Sequence, residues 1–248
     1  MKNNLIGISG KIGSGKDTVG KILQCISSYN RPNSDWVKEY TLDRFIKERL
    51  ENMSNSQSSY QIKKFADKLK DIVCLLLGCT REQLEDREFK EKELGEEWKV
   101  TKNMFCDMDS CGLCNCKDEV LTPRKLLQLI GTECGRQIIH PNIWVNALFA
   151  DYGKPILNRW DDKGNNMPAS WIISDVRFPN EVEAIKAKGG IIIRVERNNF
   201  FYDEKGKKCL KIDNHPSETA LDDYKDFDYT IDNNGTIEEL IQKIKKIL

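Results

Sequence analysis

The sequence has no excess of either charge, few histidines and no long hydrophobic run. Its 248 residues carry 39 basic and 39 acidic side chains, giving a formal net charge of zero and a pI near 6.7. A neutral chain has no broad basic field for collecting phosphates along a polymer, so nucleic-acid binding is not expected beyond local clefts. The longest apolar run, Ile72 to Leu77, is far shorter than the ~20 residues that span a bilayer. The first apolar residues, Leu5 to Ile8, lead directly into glycines. Neither a membrane helix nor a signal peptide is therefore expected. With two histidines in the whole chain, chemistry built on imidazole is a poor starting point. Nine cysteines, an odd number in a chain long enough to bury its own core, point to a reducing cytoplasmic setting and mostly free thiols.

What is present is an alternation of strand and helix signals. Asn4–Ser9 is a short apolar run ending in glycines, and Asp17–Tyr29 follows with apolar residues at Val19, Ile22, Leu23 and Ile26, the spacing of an amphipathic helix. Gln61–Ala66 reads as a second strand, with Asp67 as N-cap of a helix reaching Leu77. The charged stretch Arg81–Lys99 reads as a solvated helical face. Thr122-Pro123 is a helix start, because proline in the first turn gives up only an amide that has no partner there. That helix should run to Ile138, bent at Gly131 and Gly135, and a further one should follow His140-Pro141 to about Tyr152. Gly153–Ala169 reads as loop. The nearly continuous apolar run Trp171–Val176 suits a parallel strand covered on both faces. A helix over Phe178–Lys188, strands at Gly190–Val195 and Phe227–Asp232, and a terminal helix over Thr236–Leu248 complete the pattern. It implies an α/β fold with a doubly wound, mainly parallel sheet, and no internal repeat is evident.

The sharpest local signal is Gly10-Lys11-Ile12-Gly13-Ser14-Gly15-Lys16-Asp17-Thr18, which matches G-x-x-x-x-G-K between a predicted strand and a predicted helix. Such a loop lets consecutive amides converge on a polyphosphate at a helix N-terminus, with Lys16 as a point charge on its outer oxygens. A glycine-rich turn with an incidental lysine is the alternative. Asp17 stands where most such loops place the Ser or Thr that meets magnesium, and Thr18 follows it. Asp17 could hold Mg²⁺ through water, cap the helix, or do both.

Two residues, Asp175 and Arg177, fall at the C-terminal end of the apolar strand, where open α/β sheets bind ligands, and share a side if the strand persists that far. There an aspartate can order Mg²⁺ and an arginine can neutralise a migrating phosphoryl group; an ion pair closing the strand is the plainer reading. Lys70 would project near a helix start. Arg124 and Gln128, four apart, share a helix face, while Arg136 lies about 120° away on an ideal helix. Asn233-Asn234-Gly235 is either a tight turn or a ligand contact after the last strand.

Cys106-x₄-Cys111-x₂-Cys114-x-Cys116 lies in an aperiodic insertion over 101–119 and offers a structural Zn²⁺ knuckle, with solvent-facing free thiols as the alternative. Cys25, Cys74, Cys79 and Cys134 fall at helical core spacing and read as small apolar residues.

The segments GKIGSGKDT, FADKLK, TPRKLLQLIGTECGR, IISDVRFPNE, GGIIIRVER, HPSE and FDYTIDNNGTIEEL, in this order, resemble the deoxynucleoside monophosphate kinases encoded by tailed phages. The similarity to P-loop phosphomevalonate kinases is more distant. Displacement of the loop hydroxyl by one residue, to Thr18, is also similar to the small nucleoside monophosphate kinases. The resemblance implies a single P-loop NTPase three-layer domain over 1–248, with an acceptor-binding helical region over about 36–152 and a lid over about 196–216. It further implies transfer of the ATP γ-phosphoryl group to a deoxynucleoside 5′-monophosphate in the cytoplasm, the host's if the chain is phage-encoded, and it makes a homodimer plausible. Carried over by position, Lys16 and the loop from Gly10 through Lys11, Gly13, Ser14 and Gly15 to Asp17 and Thr18 would bind ATP. Asn233-Asn234-Gly235 sits where this class often contacts adenine, with Asn234 as the ATP-binding candidate, and Asp175 would order Mg²⁺, with Asp17 and Thr18 as further candidates. Arg177 would bridge both phosphates, Lys70, Arg124, Gln128 and Arg136 would serve the acceptor, and Arg194 and Arg197 would reach in from the lid. His215 is as well placed to order the return of the lid as to touch a ligand. The other classes that fit the motifs are a P-loop kinase for a different small phosphorylated acceptor, such as phosphomevalonate, and an ATP-regulated binding protein.

Overall fold

Five short apolar segments build one parallel sheet: β1 (Leu5–Ser9), β2 (Tyr60–Lys63), β3 (Ser170–Val176), β4 (Ile191–Glu196) and β5 (Tyr229–Asp232), in the order β5-β4-β1-β3-β2. They belong to a computed structural model that describes residues 4–29, 41–52, 60–100, 119–160, 166–168, 170–198, 200–202, 208–210 and 215–247. Every residue of β1 and β3 is buried, as central strands covered on both faces require. Because all five strands run the same way, the residues that follow them gather at one edge of the sheet. Gly10, Lys64, Arg177, Arg197 and Asn233 are those residues, and this is the edge where open α/β sheets bind ligands.

The helix after β1, α1 (Lys16–Tyr29), buries the predicted stripe Val19, Ile22, Leu23 and Ile26 in a core shared with Ile46 of α2 (Leu42–Asn52). Leu240, Ile241 and Ile244 of the terminal helix α10 (Ile237–Lys245) close the same core. Thr236 caps α10 by accepting from the Glu239 amide at 3.3 Å. After β3 in the chain, α8 (Pro179–Lys186) starts on a proline and buries Val182 and Ile185.

The chain divides into two compact units, residues 1–65 with 148–248, and residues 66–147. The second unit contains α3 (Asp67–Leu77), α4 (Arg81–Glu85), α5 (Arg87–Glu91), α6 (Pro123–Gln128) and most of α7 (Ile143–Phe149). Thr122 caps α6 as expected, accepting from the Lys125 amide at 3.2 Å. The helix does not run on evenly to Ile138. Leu129–Ile139 winds as a π-helix, closed by the His140 amide on the Gly135 carbonyl at 2.9 Å, and the indole of Trp144 takes the Gly131 carbonyl at 2.7 Å. A Cβ on Gly135 would stand 2.5 Å from the Ile130 carbonyl oxygen and 3.0 Å from the Trp144 ring, so this glycine admits both the wide turn and the tryptophan, while a Cβ on Gly131 would stand 2.8 Å from the Leu69 side chain.

Three further expectations change. Helix α3 begins at Asp67 itself, with Ala66 in the capping position and no side-chain cap; the Asp67 carboxylate instead takes Arg81 at 3.1 Å. Gly153–Ala169, read as loop, holds a ribbon in which Pro155–Trp160 pairs antiparallel with Asn166–Pro168. Cys25 is buried, whereas Cys134 is exposed, because the π-turn removes it from the helical spacing that would have placed it inside. Within the stretch expected as a lid, Phe200–Tyr202 pairs antiparallel with Lys208–Leu210. Cys106, Cys111, Cys114 and Cys116 lie outside the described residues. Among the described residues no helix is long and apolar enough to cross a membrane.

Candidate active site

The phosphate loop turns as its sequence requires. Gly13 and Gly15 have φ of 77° and 90°, and the Ser14 amide closes a turn on the Lys11 carbonyl at 3.1 Å. Helix α1 opens at Lys16, so its unpaired first-turn amides face the same point as the loop. Lys16 is buried, and Ser14 is buried with a hydroxyl that has no hydrogen-bond partner. Burial, followed by the nearby Arg177 guanidinium, pushes the Lys16 ammonium down to about 8, against the opposite pull of Asp17 and Asp175. A buried lysine next to an arginine, with an unpartnered hydroxyl beside them, suits a polyanion.

Two carboxylates flank this lysine. Asp17 lies 3.0 Å from the Lys64 ammonium and accepts from the Ser174 hydroxyl at 2.9 Å. Burial would raise its pKa, but Lys64, Ser174 and Lys16 together hold it below the ordinary carboxylate value. Asp175 is buried at the end of β3, and its Oδ1 accepts from the Phe65 amide at 2.8 Å, which ties the chain after β2 to β3.

Arg177 lies just past the end of β3, so its position relative to Asp175 comes from the turn and not from strand alternation. Glu181 fixes that turn: buried in α8, it accepts from the Arg177 amide at 2.7 Å and the Phe178 amide at 3.1 Å. The Arg177 guanidinium donates to Glu218 and to the Ser217 carbonyl, both in the short helix α9 (Pro216–Thr219). His215 caps α9, its Nδ1 accepting from the Ser217 amide at 3.2 Å, and so orders this return of the chain.

Arg194 lies near the end of β4, within the strand expected there, where it donates to the Ser9 hydroxyl at 3.0 Å and stacks over Phe227. Arg197 is exposed beyond the strand end. At the last strand, Asn233 reaches the loop by donating to the Ser14 carbonyl at 2.8 Å. Asn234 instead accepts from the Asn198 amide at 2.8 Å.

The acceptor-side candidates belong to the second unit. Lys70 pairs with Glu85 at 2.5 Å, Arg124 pairs with Glu91 at 2.6 Å, and Arg136, on the π-helix, donates to the Pro141 carbonyl at 3.4 Å. Gln128 ends α6. The structure thus gathers Lys16, Asp17, Asp175 and Arg177, and holds Lys70 and Arg124 each against a carboxylate of their own unit. Lys64, Ser174, Glu181 and Glu218 are not distinguished as site residues by the sequence, and Asn233 enters there only as part of the Asn233-Asn234-Gly235 turn or ligand contact. Glu181 carries a local signal, the acidic third position of a helix that starts on Pro179, whereas the partners of Lys64, Ser174, Glu218 and Asn233 are distant in the chain and no spacing rule marks them.

A parallel sheet whose first strand feeds a glycine-rich loop and a helix, faced by an aspartate and an arginine from the adjacent strand end, is the architecture of a P-loop kinase. The chain belongs to the deoxynucleotide monophosphate kinase family, whose profile it matches over residues 69–244. It is similar to the deoxynucleoside-5′-monophosphate kinase of Escherichia phage T5, with 27% identity across 88% of this chain and 84% of that protein. A protein of Acanthamoeba polyphaga mimivirus is 35% identical over 130 residues, 50% of this chain and 59% of its own length. The deoxynucleotide monophosphate kinase of Enterobacteria phage T4 is 32% identical over 125 residues, 50% of this chain and 44% of that protein. The chain therefore spans about half the length of these last two relatives.

Proposed function

We propose that the protein transfers the γ-phosphoryl group of ATP to a deoxynucleoside 5′-monophosphate, giving ADP and the deoxynucleoside diphosphate. The observation that carries this reading is the crowding of buried Lys16 and half-buried Arg177 at a phosphate loop, in a chain of this kinase family. The acceptor phosphate, with a second pKa near ~6, is already an anionic nucleophile at neutral pH, so no general base is needed. One of its oxygens forms the bond to the γ-phosphorus while the bond to the β–γ bridging oxygen breaks, leaving ADP. The site must bring two anions together and absorb charge on the three equatorial oxygens.

In this reading the loop from Gly10 to Thr18, through amides other than those of Ile12 and Ser14, which are taken within the protein, and the Lys16 ammonium hold the β- and γ-phosphates. Arg177 spans donor and acceptor, and Arg194 and Arg197 add positive charge from β4 and beyond its end. Lys70, Arg124, Gln128 and Arg136 hold the acceptor, which makes the helical unit the acceptor-binding region of one kinase domain. Asn233 keeps the loop in register, and Asn234 stands next to it for the adenine. Asp17, Thr18 and Asp175 offer hard oxygen donors of the kind Mg²⁺ uses alongside substrate phosphates, a mode that needs one or two protein carboxylates and no all-protein cage. When bound, Mg²⁺ would supply charge neutralisation for the phosphates.

The test is ADP release from the purified protein with ATP and Mg²⁺, given separate deoxy- and ribonucleoside monophosphates and phosphomevalonate. ADP formed with particular deoxynucleotides is the expected result and gives base selectivity at once. ADP independent of acceptor, or none, overturns the proposal, and ADP with phosphomevalonate alone transfers it to the other acceptor class.

A further inference from the structure

Glu218 has no part in the transfer chemistry described above, yet it joins two pieces of the site. One of its oxygens, Oε1, accepts from Arg177 Nη1, and the other, Oε2, accepts from the Ile12 amide of the phosphate loop at 2.8 Å. Its side chain is 6% exposed. Its neighbours make further ties: the Ser217 carbonyl also takes Arg177 Nη1, at 3.1 Å, and the Asp222 carboxylate takes the Lys11 ammonium at 2.9 Å and stands 3.8 Å from Arg194 Nη2.

We propose that Glu218 is a positioning residue for phosphoryl transfer, fixing the Arg177 guanidinium against the phosphate loop; the proposal rests on the kinase reading above. An arginine at a strand end has a long flexible stem, and ordering it during the reaction would cost side-chain entropy at that moment. A carboxylate that grips Nη1 removes this freedom beforehand and leaves the remaining donors of the planar fork for a phosphate. Because the second oxygen is held by the loop backbone, the arginine is referenced to the loop that carries the phosphates. A displaceable anion mimic is the competing role, but displacement would strand a buried carboxylate away from both of its donors.

The experiment compares wild type, Glu218→Ala, Glu218→Gln, Arg177→Ala and the Glu218→Ala/Arg177→Ala pair for kcat, KM and direct ATP affinity, with thermal melts to verify folding. Glu218→Ala should lose about 100-fold in kcat, the scale of a misplaced reacting group, while ATP affinity moves by less than about threefold. Glu218→Gln keeps a single acceptor oxygen and turns an NH₂ toward the other donor, so it can hold the Ile12 amide or Arg177 but not both, and should recover only a minor part of the loss. In the Arg177→Ala background the Glu218 change should add less than about twofold, since its effect runs through that arginine. Wild-type kcat in Glu218→Ala, or fully additive losses, overturns the proposal. So does a gain of about tenfold in ATP affinity at unchanged kcat, which would make Glu218 a displaceable occupant of the anion site. If the alanine variant does not fold, Glu218→Gln carries the same comparison. A wild type inactive with every acceptor overturns the kinase reading itself, whereas an active wild type matched by its Glu218 variants overturns this inference alone.

Discussion

Asn233 donates from its side-chain nitrogen to the carbonyl oxygen of Ser14 at 2.8 Å, so the turn after the last strand is tied to the crown of the phosphate loop. The bond depends on the absence of a side chain at Gly15. A Cβ built there would stand 2.3 Å from the same Asn233 nitrogen, on a residue whose φ is +90°.

Gly15→Ala is therefore expected to destabilise the protein twice over. Left-handed backbone costs an L-residue about 1–2 kcal/mol, and displacing Asn233 forfeits a hydrogen bond worth about 1 kcal/mol. Asn233→Ala loses the hydrogen bond alone. Thermal unfolding of both single variants and the double should show the double costing less than the sum, because Asn233→Ala relieves the clash that Gly15→Ala creates. Strict additivity would mean that Asn233 does not act through this contact.

Lys16→Ala should reduce kcat by about 10²–10³, the usual effect of removing one preorganised charge from a transition state. The folded state should persist, since Lys16 in the free protein pays a desolvation cost that alanine does not. Circular dichroism and ADP release separate the two effects. An unfolded variant would make Lys16 a structural residue.

The depressed pKa of Lys16 gives nucleotide binding and stability opposite pH slopes. An anionic polyphosphate favours the charged ammonium, so binding is strongest below about 8 and weakens as pH rises through that value. For the free protein, the unfolded chain binds more protons than the native one between about 8 and the ordinary lysine value of 10.5, so this group's contribution to stability grows with pH across that window. Calorimetric ATP titrations and denaturant melts from pH 7 to 9.5 test both signs. Parallel slopes would show that another group dominates.

The phosphate loop was legible because every element of it is local: G-x-x-x-x-G-K spacing, the apolar strand before it and the amphipathic stripe after it. The sheet was legible for the same reason, since Trp171 to Val176 advertises a strand buried on both faces. What the sequence hid depends on contacts distant in the chain. Glu218 meets Ile12 and Arg177 across more than forty positions or two hundred, and no periodicity marks such a pair. The π-helix was hidden because Gly131 and Gly135 signal only a bend; the indole of Trp144 decides which kind. The asparagine that touches the loop is Asn233 and not its neighbour, a choice made by the direction of the chain as it leaves β5.

Asp17 offers the closing test, because this residue departs from the commoner loop pattern. Its carboxylate stands between the Lys64 ammonium and the Ser174 hydroxyl, and it also raises the pKa of Lys16. Asp17→Asn preserves shape and an acceptor for Ser174 while removing the charge. With that support gone, the Lys16 ammonium should titrate lower than in wild type, and the pH at which ATP affinity begins to fall should move down with it. The ion pair with Lys64 is lost as well, but Asp17 is half-exposed and so is its lysine in part, so stability should fall by no more than about 1 kcal/mol. A pH midpoint for ATP binding that stays at the wild-type value would show that Asp17 does not tune Lys16. A drop in stability well beyond that range would instead make Asp17 a structural tie between the loop and the end of β2.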